Sequence, residues 1–179
     1  MRFLFSCALL CLAASCTDAN RASTATGDPR FHMSDPNELF FRNTQQNKYR
    51  PVENATADGD VFQVAELRAV TARPQLFGQL VLNWLEDEAY FRVTTNDYEQ
   101  QFEQPLVLVT EAGQDIVLGD ASPRANLDFG ELIARDLQAG KPLRLRNAAG
   151  EAVSIFQSRE EREAFLTTLG DFYRLTQPK

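Results

Sequence analysis

The segment NWLEDEAYFRV, residues 83–93, joins two stretches rich in strand-forming residues, QLVLNW at 79–84 and AYFRVTT at 89–95. β-Branched and aromatic residues are enriched in strands, so both stretches predict short strands. The charged residues of LEDE, 85–88, allow two interpretations: a solvated turn between two strands, or one extended strand through the whole segment. The choice decides whether the polar side chains of the segment share one face.

Five further stretches have the composition of short strands. They are DVFQVAEL at 60–67, PLVLVT at 105–110, DIVLG at 115–119, PLRLR at 142–146 and AVSIF at 152–156. Turn-forming residues predict hairpins at EAGQ, 111–114, and NAAG, 147–150. Leucine alternates with arginine over 143–146, which predicts one wet face, whereas the unbroken apolar run PLVLV predicts a central strand. VAELRAVTARPQLFG, 64–78, is compatible with a helix instead.

Three stretches carry a helix start signal, an acid or serine followed three residues later by Glu. They lie at 35–38, 128–131 and 158–161, each before an apolar run, and Gly140 predicts the end of the second helix. Gly170, inside the third helix, costs about 1 kcal/mol relative to Ala and indicates close packing. Strands in adjacent pairs with helices mostly at the ends predict an α+β fold with a mainly antiparallel sheet and about three helices.

All three cysteines, Cys7, Cys11 and Cys16, lie in the first sixteen residues. An almost unbroken apolar run over 3–14 follows one positive charge, Arg2. This run is too short for a membrane-spanning helix, which needs about 20 residues. Its length and flanks are typical of a secretory signal.

Leu12 and three small residues, 13–15, precede Cys16 directly. The arrangement resembles the lipobox of bacterial lipoproteins, in which the cysteine thiol receives a diacylglyceryl group and the signal is cleaved before it. The resemblance implies a signal peptide over 1–15 and lipidation of Cys16. It departs from the family pattern at Ala13, where Leu is usual. The alternative is an ordinary secretory signal, which would leave Cys16 as a free or paired thiol.

Residues 16–30 are rich in small and polar residues and predict a flexible tether behind the lipidated cysteine. Phe31 and Met33 mark the expected start of one globular domain over 31–179. Thr17 follows Cys16 where inner-membrane lipoproteins have Asp, so the resemblance implies the outer membrane, on either face.

The charge of the chain limits its partners. Its formal net charge is −7, and without Arg2 it is −8, because 17 of the 18 basic residues then remain against 25 acidic ones. Such a chain has no electrostatic footprint for nucleic acid and is repelled by anionic lipid. Its membrane affinity would come from the acyl chains on Cys16, each buried methylene adding about 0.8 kcal/mol.

Several kinds of chemistry lack the residues they need. His32 is the only histidine and lies in the polar stretch 17–34, interpreted as a tether, so a catalytic triad or a histidine-rich zinc site would have to be built on a mobile arm. The nucleotide-binding, nucleophile-elbow and zinc-protease motifs do not occur. No cofactor and no metal site is expected. Carboxylate chemistry, which needs only two acids in suitable environments, stays open.

The best candidate site is the segment 83–93. If it is extended, Trp84, Glu86, Glu88, Tyr90 and Arg92 share one face. Two aromatic rings, two carboxylates and an arginine suit a glycan-binding groove or a carboxylate-based glycosidase. If LEDE is a turn, this shared face is lost and Trp84 and Tyr90 are core or rim residues.

The helix ELFFRN, 38–43, offers a second candidate, a docking edge for a protein partner. Phe40 and Phe41 are adjacent and point about 100° apart, so the alternative is that one packs in the core and the tether shields the other. DPNELFFRN, NWLEDEAYFRV and LGDFYRL together resemble uncharacterised envelope lipoproteins of diderm bacteria, a resemblance that carries no activity. We therefore expect a non-enzymatic accessory lipoprotein with an envelope partner, and glycan binding as the alternative.

Overall fold

The computed structural model describes residues 29–53, 59–67, 73–96 and 105–176. The predicted signal peptide over 1–15, Cys16 and nearly all of the predicted tether over 16–30 lie outside the described residues.

Within the described ranges, three α-helices and eight strands form an α+β domain with two antiparallel sheets. The helices are α1 (Asp35–Phe40), α2 (Pro123–Gln138) and α3 (Arg159–Thr176). The strands are β1 (Tyr49–Pro51), β2 (Asp60–Val64), β3 (Leu76–Asn83), β4 (Glu88–Thr95), β5 (Val107–Val109), β6 (Asp115–Val117), β7 (Leu143–Arg146) and β8 (Ala152–Ile155). The first sheet has the order β1-β2-β3-β4 and the second β6-β5-β7-β8. The predicted fold class is confirmed.

The strand predictions are confirmed for all seven stretches, as are the hairpins between β5 and β6 and between β7 and β8. β5 lies inside its sheet, as the apolar run predicted. The leucines of β7 are buried and its arginines half-buried, which confirms the alternation. The helical alternative for 64–78 is wrong at both ends, because Val64 ends β2 and β3 begins at Leu76. β1 was not predicted, since its three residues give no periodic signal.

The helix start signals had mixed outcomes. The capping box of α3 is confirmed, because the Glu161 N–H donates to Ser158 Oγ at 3.2 Å and the Ser158 N–H to Glu161 Oε2 at 3.4 Å. The predicted start of α2 at Asp128 is wrong. That helix begins at Pro123, after Ser122, whose Oγ accepts the Ala125 N–H at 3.2 Å. Serine followed by proline is itself a start signal, so the sequence contained the correct boundary.

Two further helix boundaries test the sequence predictions: the end of α2 at Gly140 and the start of α1 at Asp35. Gly140 has a φ of +70° directly after the α2 C-cap, which confirms its predicted role. Asp35 is not the cap of α1 but its first helical residue. Ser34 occupies the N-cap position with an extended backbone and forms no side-chain cap hydrogen bond.

The N-terminal end of the described chain is held against the first sheet. Phe31 and Met33 are 5% and 1% exposed, which confirms that the packed domain includes them. His32 does not lie in a tether as predicted, because its backbone forms an antiparallel bridge with Glu88. The adjacent Met33 N–H donates to Asp87 O at 2.7 Å.

One contiguous core joins both sheets and the helices, and Phe91 on β4 lies inside it. Its ring meets Phe165 edge-on at 5.5 Å between centroids and Phe172 at 6.4 Å, both on α3. The position opposite it on α2 is Gly130, where an added Cβ would lie 2.4 Å from the Phe91 ring. Gly78 on β3 is similarly close, at 2.9 Å. The absence of side chains at these two glycines makes room for the ring.

The two helix glycines give a matched pair of substitutions. Gly130→Ala should destabilise the protein, because the clash with a fully buried ring costs about 1–3 kcal/mol and outweighs the helix gain. Gly170→Ala should stabilise it by about 0.5–1 kcal/mol, because an added Cβ there meets nothing within 4 Å. The prediction that Gly170 marks close packing is therefore wrong. Thermal and urea unfolding measure both changes, and equal effects at the two positions would contradict this account.

Candidate functional site

The candidate segment 83–93 is a β-hairpin and not one extended strand. β3 ends at Asn83, which pairs with Glu88 at the start of β4, and residues 84–87 form the turn. Asp87 has a φ of +54°, a left-handed conformation that Asp tolerates better than most residues. The turn interpretation of LEDE is therefore confirmed. The alternative in which all five candidate side chains share a strand face is wrong.

Three of the five candidates keep a common face, and two do not. Glu88, Tyr90 and Arg92 alternate along β4 and are half-buried, while Ala89, Phe91 and Val93 between them are buried in the core. Trp84 and Glu86 lie in the turn.

The Trp84 indole is engaged by the protein's own side chains. Its Nε1–H donates to Asp60 Oδ2 at 2.7 Å, and the Arg42 guanidinium carbon lies 4.2 Å from the ring centroid. Arg42 is held in turn by Glu38, one turn earlier, at 2.8 Å. The ring also packs against the main core. One ring face and the N–H are thus occupied, which leaves little of the indole for stacking on a sugar.

Glu88 lies half-buried at the start of β4, close to the negative charge of Glu86. Burial and the negative charge of Glu86 raise the pKa of Glu88 above its ordinary value, and His32 opposes them. The Tyr90 hydroxyl donates to the Glu88 carboxylate. A carboxyl group with a raised pKa can serve as a proton donor, which is what general acid catalysis needs.

Arg92 is held by one amide, that of Gln79, and not by an acid. Its Nε and Nη2 donate to Gln79 Oε1 at 3.0 and 2.7 Å. Gln79 in turn donates from Nε2 to Gln63 Oε1 at 3.0 Å. Burial lowers the pKa of Arg92 from its ordinary value, and no carboxylate charge opposes that effect. The structure therefore separates Arg92 from the Trp84 end of the hairpin and joins it to a row of glutamines.

Sequence reasoning missed the partners of the candidate residues. Asp60 is 24 positions from Trp84, and Gln63 is 16 from Gln79. Arg42 lies in the helix ELFFRN, 38–43, but the sequence does not indicate that it contacts the hairpin. Pairing of this kind depends on the strand register and on where α1 lies, and no local pattern reports either.

In the second candidate, the helix over 38–43, the two adjacent phenylalanines differ in burial, as the alternative interpretation predicted. Phe41 is 1% exposed and contacts Tyr49 and Phe62. Phe40 is 46% exposed and Leu39 58%. One phenylalanine therefore packs in the core. The tether predicted to shield the other lies outside the described residues.

An open groove of about 430 Å³ runs beside β1 and β2. Its lining includes Tyr49, Val52 and residues 59–62, and Asp60 among them is the partner of the Trp84 N–H. Among the described residues, no group of three His, Cys, Asp or Glu side chains is placed to hold a metal ion. Over the same part of the chain, no helix has the length and apolar character needed to cross a bilayer.

No family model, curated protein or solved structure matches this chain.

The environment of Glu88 predicts a pH effect. A carboxyl whose pKa is raised by folding stabilises the folded state while protonated, and that contribution is lost as the pH rises through the folded-state pKa. Glu88→Gln mimics the protonated form, so it should gain stability over the wild type as the pH rises from below about 4, the ordinary range of Glu, to 7. The free energy of unfolding of both proteins, measured across this pH range, tests the sign of the difference between them.

Glu86→Gln is the matched control. It removes the nearby negative charge, so the pKa of Glu88 measured by carbon NMR should fall. A wild-type Glu88 that titrates at or below the ordinary value for Glu would contradict the assignment.

Proposed function

We propose that this protein is a lipid-anchored accessory protein of the bacterial envelope, attached through acyl chains on Cys16 and acting by contact with another envelope component. The observation that carries the proposal is the apolar run over 3–14 with small residues directly before Cys16. Lipidation also accounts for a single cysteine in the exported chain, which would otherwise be an unexplained reactive thiol.

The anchor explains how an acidic protein stays at a membrane. A chain with a formal charge of −8 after signal removal is repelled by anionic lipid, so acyl chains have to supply the affinity. Two or more chains suffice for stable anchoring. With Thr17 after the cysteine, the outer membrane is the favoured location.

The non-enzymatic part of the proposal is supported by the contacts that the candidate residues make within the protein itself. Trp84 bonds Asp60 and stacks under Arg42, and Arg92 bonds Gln79. These contacts support the hairpin itself. Glycan binding or carboxylate-based hydrolysis at Trp84, Glu86, Glu88 and Tyr90 is the second candidate, and the raised pKa of Glu88 is the observation in its favour.

Cys16 lipidation is tested by metabolic labelling. Cells given labelled palmitate should label the wild-type protein and not Cys16→Ser, and the variant should move from the membrane to the soluble fraction. Cys11→Ser is the matched control, because Cys11 belongs to the discarded signal, and it should label like the wild type. Equal labelling of Cys16→Ser and the wild type would end the lipoprotein proposal.

The glycan alternative is tested through Trp84, the only tryptophan in the chain. Trp84→Ala should cost about 1–3 kcal/mol of stability through its lost hydrogen bond and cation–π contact. Leu85→Ala, at a neighbour that is 96% exposed, should change stability by less than about 0.5 kcal/mol. Chitin and cellulose oligosaccharides should leave wild-type tryptophan fluorescence unchanged. A saturable change that Glu86→Gln and Glu88→Gln abolish would favour the glycan function instead.

A further inference from the structure

Four long polar side chains cross the first sheet in one row, on the face opposite Phe91. Arg50 on β1 pairs in register with Gln63 on β2, and Gln79 on β3 pairs with Arg92 on β4. The hydrogen bond from Gln79 to Gln63 joins the two halves of the row. The two glutamines are 4% and 6% exposed, so the centre of the row is buried.

Gln79 fixes the orientation of the Arg92 guanidinium. The Nε and Nη2 of Arg92 both donate to Gln79 Oε1, which occupies the side edge of the guanidinium. The end edge, formed by Nη1 and the second N–H of Nη2, has no partner among the described residues. The only buried side-chain polar atom without a partner in that part of the chain is Nη1 of Arg73, so Nη1 of Arg92 reaches solvent. An open, oriented end edge matches two oxygens of a carboxylate or phosphate group.

The charge of Arg92 is also uncompensated. Two other half-buried arginines pair with acids: Arg73 lies 2.6 Å from Glu161, and Arg146 lies 2.5 Å from Asp115. Arg144 on β7 is half-buried without an acid beside it in the described ranges, but no side chain there orients its guanidinium as Gln79 orients that of Arg92. Arg92 is half-buried without any such partner in the described ranges, although the chain carries 25 acidic residues. A partly buried charge without a counter-charge is unfavourable, and a bound anion would remove that cost.

We propose that the end edge of Arg92 is a binding site for an oxyanion, a carboxylate or phosphate group of a ligand or partner. Gln79 and Gln63 are positioning residues, because they set the guanidinium in place and do not reach the anion. The site does not depend on lipidation of Cys16, and it differs from the glycan face because it excludes Trp84 and Glu86.

Arginine side-chain NMR tests the site directly. The sample is the full chain carrying Cys16→Ser, and the probes are sodium acetate and sodium phosphate, each replacing sodium chloride at constant ionic strength. The Arg92 Nε–H resonance should shift saturably with at least one probe, and the probe that binds more tightly identifies the anion class. Arg144, half-buried on β7 without Gln79-like support, is the internal control and should shift only linearly.

Gln79→Glu sharpens the test because it places a carboxylate where Gln79 Oε1 accepts the Arg92 hydrogen bonds. The internal acid should satisfy the charge, so saturable binding should be lost. The proposal fails if the wild-type Arg92 resonance behaves like that of Arg144, or if Gln79→Glu retains saturable binding. If that variant does not fold, the wild-type titration decides alone.

Discussion

The packing of one ring, Phe91, determines how the sheet and the helices meet. Phe91 is fully buried, and it contacts Phe165 and Phe172 of α3. It is accommodated because Gly130 of α2 and Gly78 of β3 have no side chains. Both long helices are therefore placed against β4 by the fit of a large ring beside two glycines. The orientation of the other β4 side chains follows from this. Because side chains alternate between the two faces of a strand, an inward Phe91 requires Tyr90 and Arg92 to face outward.

That alternation explains why the strands could be predicted from the sequence. Short runs of β-branched and aromatic residues with turn residues between them are local signals, and all seven such stretches form strands. The capping box of α3 is equally local. The start of α2 was misplaced because Asp128 and Glu131 imitate a cap within a helix that Ser122 and Pro123 had already begun. Two competing local signals stand six residues apart, and the structure distinguishes them by the cap hydrogen bond from the Ala125 N–H to Ser122 Oγ.

The candidate site was less predictable because its contacts are long-range. A single strand over 83–93 and a hairpin have the same composition. What distinguishes them is the pairing of Asn83 with Glu88 and the positive φ of Asp87. The contact of Arg42 with the indole depends on where α1 crosses the hairpin, and the Asp60 bond depends on the register of β2. The sequence pattern identified a cluster of polar side chains that are close together in the chain. It could not identify the distant residues with which those side chains form hydrogen bonds and ring contacts.

The hairpin also relates the two proposals geometrically. The described chain begins at Pro29, and His32 and Met33 pair beside the hairpin turn. Phe31 contacts Tyr90, so the chain passes beside β4 as it enters the domain, and an anchor at Cys16 would be joined to the domain there. Twelve residues, 17–28, lie between Cys16 and Pro29, and the thirteen steps from one to the other span at most about 47 Å. Arg92 lies two residues beyond Tyr90 on β4, about 7 Å along the strand. Under the proposed anchoring at Cys16, the oxyanion site proposed at Arg92 would therefore lie within reach of a membrane-bound partner.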